Sequence, residues 1–355
     1  MREFQINKTM VGGSNPTYFI ADIAANHDGD LERAKNLIRL AADSGADAAK
    51  FQHFEASTIV SDFGFKALSG NQSHQSGWKK SIFDVYQDAS LPLKWTEELK
   101  NVSDKNGIDF FTTPYSIEML PALSSFVCAW KVGSGDITWH EHLEAMARYQ
   151  KPMLLATGAA EIGEVESACE TILAINDQLV LMQCNTNYTG SFDNIGFVCL
   201  NVLNSYRKMF PDVVLGLSDH TPGHVSVLGA VALGARVVEK HFTDDANRSG
   251  PDHKFSMTPE AWERMVLDTR WLEKSLGDDR KRVMENERET VIVQRRSLRA
   301  RHAVSKGTTL KEEMLIPLRP CPVDGIPPNR KDEVVDRPTN RDLVPGEHIT
   351  WDVLN

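Results

Sequence analysis

Short runs of apolar residues alternate along most of this chain with longer stretches whose apolar positions recur every three or four residues. The runs Tyr18–Ile23, Ala46–Phe51, Ile108–Thr112, Ala129–Val132, Met153–Ala156, Leu179–Met182, Val213–Leu217 and Val237–Glu239 read as β-strands. Between them, Leu31–Ser44, Glu161–Ile175 and Val225–Leu233 carry apolar residues at helical spacing, and the first ends at Gly45. Eight strand-then-helix units within about 225 residues fit a (β/α)8 TIM barrel better than a doubly wound sheet.

Beyond the eighth strand the pattern changes. Pro259–Leu276 reads as a helix with apolar Trp262, Met265, Val266, Leu272 and Leu276, and the charged stretch Gly277–Glu289 reads as a solvated linker or exposed helix. From Val291 to Asn355 the chain is rich in proline and β-formers. It also repeats itself in outline: Ala303–Leu310 and Asp342–Thr350 each place a glycine turn before a short polar segment and an apolar residue. Two copies suggest a small pseudo-symmetric β domain, although two unrelated surface hairpins would leave the same trace. The expected division is a catalytic barrel over residues 1–276, a linker over 277–290 and a small β domain over 291–355.

Composition narrows the function classes. At 355 residues, 41% hydrophobic and 25% charged, the chain is an ordinary soluble globular sequence. Its net charge of −10 argues against a general nucleic-acid binder, so an anionic substrate would need a local cluster of cations and N–H donors. No apolar run approaches the roughly 20 residues that span a bilayer. The polar stretch Met1–Met10 lacks a signal peptide's apolar core. Cys128, Cys169, Cys184, Cys199 and Cys321 are odd in number, scattered and without a CxxC pair, which speaks against a disulfide framework or thiolate zinc site and for a cytoplasmic protein.

In a β/α barrel the chemistry sits at the C-terminal ends of the strands, and residues two apart on a strand share a face. Asp22 therefore points into the barrel mouth, with Ala24 and Asn26 on its side. Lys50 with Gln52, and Thr113 with Tyr115, project together from the second and third strands. The fourth runs into Lys131-Val132-Gly133-Ser134-Gly135-Asp136, where glycines let backbone N–H groups approach an anion beside Lys131 and Ser134. Alone, that stretch is equally a glycine turn with a surface lysine. The seventh and eighth strands end in Ser218-Asp219-His220 and Glu239-Lys240-His241. A single strand-end histidine is usually structural. Two on adjacent strands, with carboxylates beside them and no thiolates, suit a divalent ion such as Mn²⁺ or Mg²⁺ held partly by water.

The segments IADIAANHDG, KFQ, TTPYS, KVGSGDI, ATG, GLSDHT, VEKHFT and GPDHKFS follow one another in an order and spacing that resemble the sialic acid synthase family, which includes bacterial N-acetylneuraminate, legionaminate and pseudaminate synthases. The last 60 or so residues, with RRSLRA and LRP, resemble that family's small antifreeze-like (SAF) domain. The resemblance implies a TIM barrel with a C-terminal β-clip domain in a domain-swapped homodimer. It implies that His220 and His241 hold Mn²⁺, with Mg²⁺ or Co²⁺ as substitutes, and that Lys131, Thr113, Ser134 and Ser218 bind phosphoenolpyruvate. By the same resemblance Lys50, Gln52, Tyr115, Asp136, Thr186, Tyr188 and Asp252 line the sugar site, and Glu239 sits beside the metal and the reacting centre. Arg319 would reach the sugar's N-acyl group from the partner chain. Three positions depart from the family pattern. Asp22 stands where glutamate is usual, and Ala156 stands where a phosphate-site serine is usual, leaving Thr157 to supply that contact. Tyr188 lacks the proline that commonly follows it.

The chemistry implied is condensation of phosphoenolpyruvate with the open-chain aldehyde of an N-acylated aminohexose, such as an N-acetylmannosamine or a 2,4-diacetamido hexose. Lys131 would balance phosphate charge, while Asp22, Glu239 and Lys50 form the catalytic group. Two rival readings are a metal-dependent aldolase using pyruvate itself and a non-catalytic sugar-binding protein on the same barrel.

Overall fold

The structure, a computed structural model, describes residues 2–68 and 80–355, and these fall into two compact units, residues 1–277 and 278–355. The first unit opens with an antiparallel hairpin, β1 (Glu3–Ile6) and β2 (Thr9–Gly12), turning at Asn7 with φ 50°. Ile6 and Val11 are buried against the main core. Gly12 has φ 93°, and a Cβ there would lie 2.2 Å from the Arg2 carbonyl oxygen and 2.7 Å from Val214, so only glycine allows the hairpin to meet the barrel this closely.

The eight strands that follow are β3 (Tyr18–Asp22), β4 (Ala48–His53), β5 (Asp109–Pro114), β6 (Trp130–Val132), β7 (Met153–Ala156), β8 (Leu179–Cys184), β9 (Val214–Asp219) and β10 (Val237–His241). They are parallel and closed, with β10 hydrogen-bonded to both β9 and β3. Barrel strands are covered on both faces, which explains unbroken apolar runs such as Met153–Leu155 and Leu179–Met182, all fully buried. The strands run two residues further than the apolar runs suggest at β4, β5, β8, β9 and β10. Apart from Pro114 and Cys184, those added residues are polar, and they form the barrel's chemical rim rather than its core.

Helices sheathe the barrel by local rules. In Leu31–Asp43 the residues Ala34, Leu37, Ile38 and Ala41 form the buried stripe, and the Asp30 carboxylate caps the start by accepting from Glu32 and Arg33 N–H. Gly45, φ 87°, takes the left-handed position past its end. Pro259 opens the first unit's final helix, Pro259–Leu276, where its missing N–H costs nothing.

The second unit has its own core of Leu298, Ala300, Val304, Leu310, Leu315, Ile326, Val334, Leu343, Ile349 and Val353. A helix, Arg288–Gln294, precedes its strands β11 (Ser297–Ala300) and β12 (Leu315–Leu318), which pair antiparallel. The charged stretch before it ends in a 3-10 turn, Glu285–Glu287, that leads into this helix. The repeat is structural. Val304 and Leu343 exchange both backbone hydrogen bonds, at 3.0 and 2.8 Å, and each copy turns at a left-handed glycine, Gly307 (φ 84°) and Gly346 (φ 82°). The two copies therefore pair with each other across the unit.

Candidate active site

The barrel's rim converges polar groups from adjacent strands. Parallel register places Asp22 opposite Lys50 on one side and His241 on the other, Gln52 opposite Thr113, and Ser218 opposite Glu239. The side chains close into one buried network. Lys50 Nζ lies 2.8 Å from Asp22 Oδ2, 3.3 Å from Thr113 Oγ1 and 4.0 Å from Glu239 Oε1. Lys131 Nζ lies 3.3 Å from the same Glu239 oxygen and 3.1 Å from the Val132 carbonyl. Ser218 Oγ donates to it at 3.2 Å. The other oxygen, Glu239 Oε2, is buried with no hydrogen-bond partner among the described residues.

Burial works against a charged Lys50, but Asp22 and Glu239 outweigh it and hold its pKa above the usual lysine value. Burial raises the carboxyls of Asp136 and Asp252 to about 6, the latter despite accepting from Ala25 N–H at 3.1 Å. Two ammoniums therefore face four carboxylates, and the mouth has no surplus positive charge of its own.

Beside this network stand the two histidines, ring centroids 5.4 Å apart. Tyr188 meets His220 edge-on at 4.5 Å, and Phe255 packs on His241 at 4.8 Å, so both rings are held by aromatic walls. His220 Nδ1 is 2.9 Å from the Asn185 carbonyl, which fixes its proton there and leaves Nε2 as the lone-pair nitrogen of the neutral ring. His241 Nε2 lies 3.5 Å from Asp22 Oδ2, and its Nδ1 is buried without a partner among the described residues. Burial, with His220 and Lys50 adding to it, keeps His241 well below the ordinary imidazole range and hence neutral. At His220 burial also favours the neutral ring, but the Cys184 thiol 3.9 Å away raises its pKa overall. Among the described residues no set of three or more His, Cys, Asp or Glu side chains is arranged to hold a metal ion.

On the other side of the mouth, Ser134 Oγ accepts from Gly158 N–H at 2.9 Å. A Cβ on Gly158 would fall 2.6 Å from Thr186 and 3.0 Å from both Cys184 and Ser134, so glycine is needed to bring these walls together. Gln52, Tyr115, Ser134, Asp136, Tyr188, His241 and Asp252 line a cleft of about 370 Å³, and Phe54, Ile59, Val85 and Tyr86 form its apolar wall. That size and mixture suit a small polar molecule with an apolar substituent.

Residues 37–281 match the NeuB family, and residues 295–355 match the SAF domain. The chain belongs to the NeuB family. It is 36% identical to an N,N'-diacetyllegionaminic acid synthase of Campylobacter jejuni, over 94% of this chain and 98% of that one. It is 32% identical to the human N-acetylneuraminate-9-phosphate synthase, over 86% and 84%. Among solved structures, an N-acetylneuraminic acid synthetase from Leptospira borgpetersenii, in complex with citrate, superposes with a TM-score of 0.71 at 28% identity, covering 82% of this chain and 95% of that one. NeuB membership makes the chain an acid synthase, a transferase-type enzyme, on a TIM barrel with a SAF domain.

For this NeuB-family chain the barrel gathers every candidate residue of the first unit into one rim, while Arg319 is exposed at the end of β12 in the second. Two readings of the rim need correction. The alternation carried past Asp22 fails because the strand ends there and Ala24 turns to φ 43°. Asn26 is instead a brace, donating to the Phe242 carbonyl at 2.9 Å and to Ser256 Oγ at 2.8 Å. Thr157 does not replace the serine missing at Ala156, because its hydroxyl donates to the Met182 carbonyl and accepts from Tyr206 OH, at 3.0 and 2.9 Å. The shorter Asp22 still reaches both Lys50 and His241. Phe255 and Cys184 escaped the reading of strand ends. Phe255 lies in a short 3-10 turn, His253–Phe255, outside the strands, whereas Cys184 is two residues beyond the apolar run of β8.

Proposed function

We propose that this chain is a nonulosonic acid synthase that joins phosphoenolpyruvate to the open-chain aldehyde of an N-acylated aminohexose and releases phosphate. The observation that carries the reading is the buried Asp22–Lys50–Glu239–Lys131 network set beside paired histidines in the barrel mouth of a NeuB-family chain.

A divalent ion, Mn²⁺ or else Mg²⁺ or Co²⁺, fits the residues present: among the described residues each imidazole keeps one nitrogen without a recorded hydrogen bond, and a mouth with more carboxylates than ammoniums needs added positive charge to accept a polyanion. Held by His220 and His241, such an ion would supply Lewis-acid polarisation of the aldehyde oxygen.

The chain's own groups account for the rest. Lys131 and Ser134 hold the phosphate, and Thr113 and Ser218 flank the enolpyruvyl carboxylate. As C3 of phosphoenolpyruvate bonds to the aldehyde carbon, the aldehyde oxygen takes a proton delivered through Lys50 and Asp22. C2 becomes cationic, and water adds there. Glu239 Oε2 is free to accept the water's proton, while Oε1 is anchored by Lys131 and Ser218. The hydroxyl on the tetrahedral carbon then loses its proton and forms the C2 ketone as the bond to the phosphate oxygen breaks, and the proton leaves with inorganic phosphate. Gln52, Tyr115, Asp136, Thr186, Tyr188 and Asp252 hold the sugar's hydroxyl and acylamino groups. We read the protein as a cytoplasmic homodimer in which Arg319 comes from the partner chain; its exposed position in the second unit supports this.

The test is phosphate release with a panel of 2-acetamido and 2,4-diacetamido hexoses, with products identified by mass spectrometry. Release that needs both substrates and yields a nine-carbon acid is expected. Condensation with pyruvate in place of phosphoenolpyruvate, or sugar binding without turnover, would overturn the reading.

A further inference from the structure

Behind the two histidines, on the opposite face of the same strands, lies a second charged pair that the chemistry above does not use. Asp219 and Lys240 are directly opposed in the β9–β10 ladder, and their carboxylate and ammonium meet at 2.5 Å with side chains at most 1% exposed. Each is the residue immediately before a histidine, His220 and His241. On β10 the successive side chains of Lys240 and His241 point to opposite faces, so the pair sits outside the barrel wall while His241, with His220 beside it, sits at its mouth.

The pair is held by further hydrogen bonds on both sides. Asp219 also accepts from Thr221 N–H at 3.1 Å, from Thr221 Oγ1 at 2.9 Å and from Ser226 Oγ at 2.5 Å. Lys240 donates in addition to the Thr221 carbonyl at 2.7 Å. One carboxylate thereby ties the end of β9, the turn after His220, the first turn of the helix Val225–Ala232 and the end of β10. Two apolar side chains of similar volume would fill this space at comparable or lower cost in stability, so the retained charges call for another role. Their particular effect is to lock the backbone on both sides of His220 and just before His241.

We propose that the Asp219–Lys240 pair, with Thr221 and Ser226, is a positioning device that fixes the separation of His220 and His241 for a divalent cation. This rests on the metal reading given above. It predicts that weakening the device loosens metal binding without unfolding the barrel.

The experiment measures Mn²⁺ binding to the full chain by the electron paramagnetic resonance signal of free and bound ion, with thermal unfolding alongside. Asp219→Asn with Lys240→Met removes both charges together and should weaken Mn²⁺ binding by about 10-fold or more. It should also alter the line shape of the bound ion, and raising Mn²⁺ should restore turnover. Ser226→Ala and Thr221→Val each remove one bond to Asp219 without stranding a buried charge, and each should weaken binding about 2- to 5-fold. Ser226→Thr keeps the hydroxyl and should bind normally. If the double variant does not fold, the single variants decide. Folded variants with wild-type affinity and line shape would overturn the positioning role while leaving the metal site standing. Absence of wild-type Mn²⁺ binding that His220→Ala abolishes would overturn the metal reading, and the positioning role with it.

Discussion

Replacing Glu239 with glutamine separates the two tasks that the geometry gives it. The amide is nearly isosteric, so Ser218 can still donate to its oxygen, but the charge is gone. At an effective dielectric near 20, the Coulomb attraction of Glu239 for Lys131 at 3.3 Å is about 5 kcal/mol and for Lys50 at 4.0 Å about 4 kcal/mol, before the cost of desolvating each ion. Removing the carboxylate therefore frees Lys131 to bind an anion more strongly, while Lys50 keeps its ion pair with Asp22. It also removes Oε2 as a proton acceptor, for which a loss of about 10²- to 10⁴-fold is the scale of a positioned base. We expect Glu239→Gln to lower kcat by that factor while the KM for phosphoenolpyruvate stays level or falls. The assay is continuous phosphate release at saturating aldehyde and Mn²⁺, with thermal unfolding to confirm the fold. A kcat near wild type, or a raised KM with kcat unchanged, would show that Glu239 only holds substrate and that proton removal lies elsewhere.

Asp22→Asn should cost on the order of 10²-fold in kcat, because the Asp22 carboxylate is in contact with both Lys50 and His241; near-normal turnover would remove it from proton transfer. Burial raises Asp136 to about 6, so the folded state holds its proton more tightly than the unfolded chain and loses stability as pH rises from about 4 to 6. Asp136→Asn should consequently raise the melting temperature at pH 7 to 8 and change it little near pH 4; an equal shift at both would refute the burial argument. Mixing Arg319→Ala chains with His220→Ala chains under conditions of subunit exchange should restore activity that neither parent has. No recovery after proven exchange, or an active monomer, would rule out Arg319 acting in trans.

The barrel was legible because strands covered on both faces leave largely apolar runs, and the rim because Asp22, Lys50, Lys131 and Glu239 are charged residues near the C-terminal ends of those runs, with His241 two residues beyond the last. The period-two rule placed those side chains correctly only while the backbone remained a strand. Past Asp22 a left-handed Ala24 ended it, and Asn26 became a brace. The β1–β2 hairpin left too faint a trace, since each strand has four residues and only Phe4, Ile6, Val11 and Gly12 are buried. The cradle at Ser134, Gly158 and Thr186 joins three loops far apart in the chain, and no local pattern announces such a meeting. The diversion of the Thr157 hydroxyl to Met182 and Tyr206 likewise depends on neighbours brought in by the fold.

The mutual pairing of the two repeat copies in the second unit bears on how that unit comes into being. A ribosome delivers Val304 long before Leu343, so the first copy waits, with its backbone groups hydrated, until its counterpart emerges. The same holds for Thr308 and Thr339, and for Pro338 and Asn355, which close the bundle by further backbone bonds. Neither half has a finished scaffold to grow from. A nascent chain halted near Asp336 should thus carry a folded barrel and a C-terminal segment that proteases cut freely, becoming resistant in one step once the last strand-like residues clear the exit tunnel.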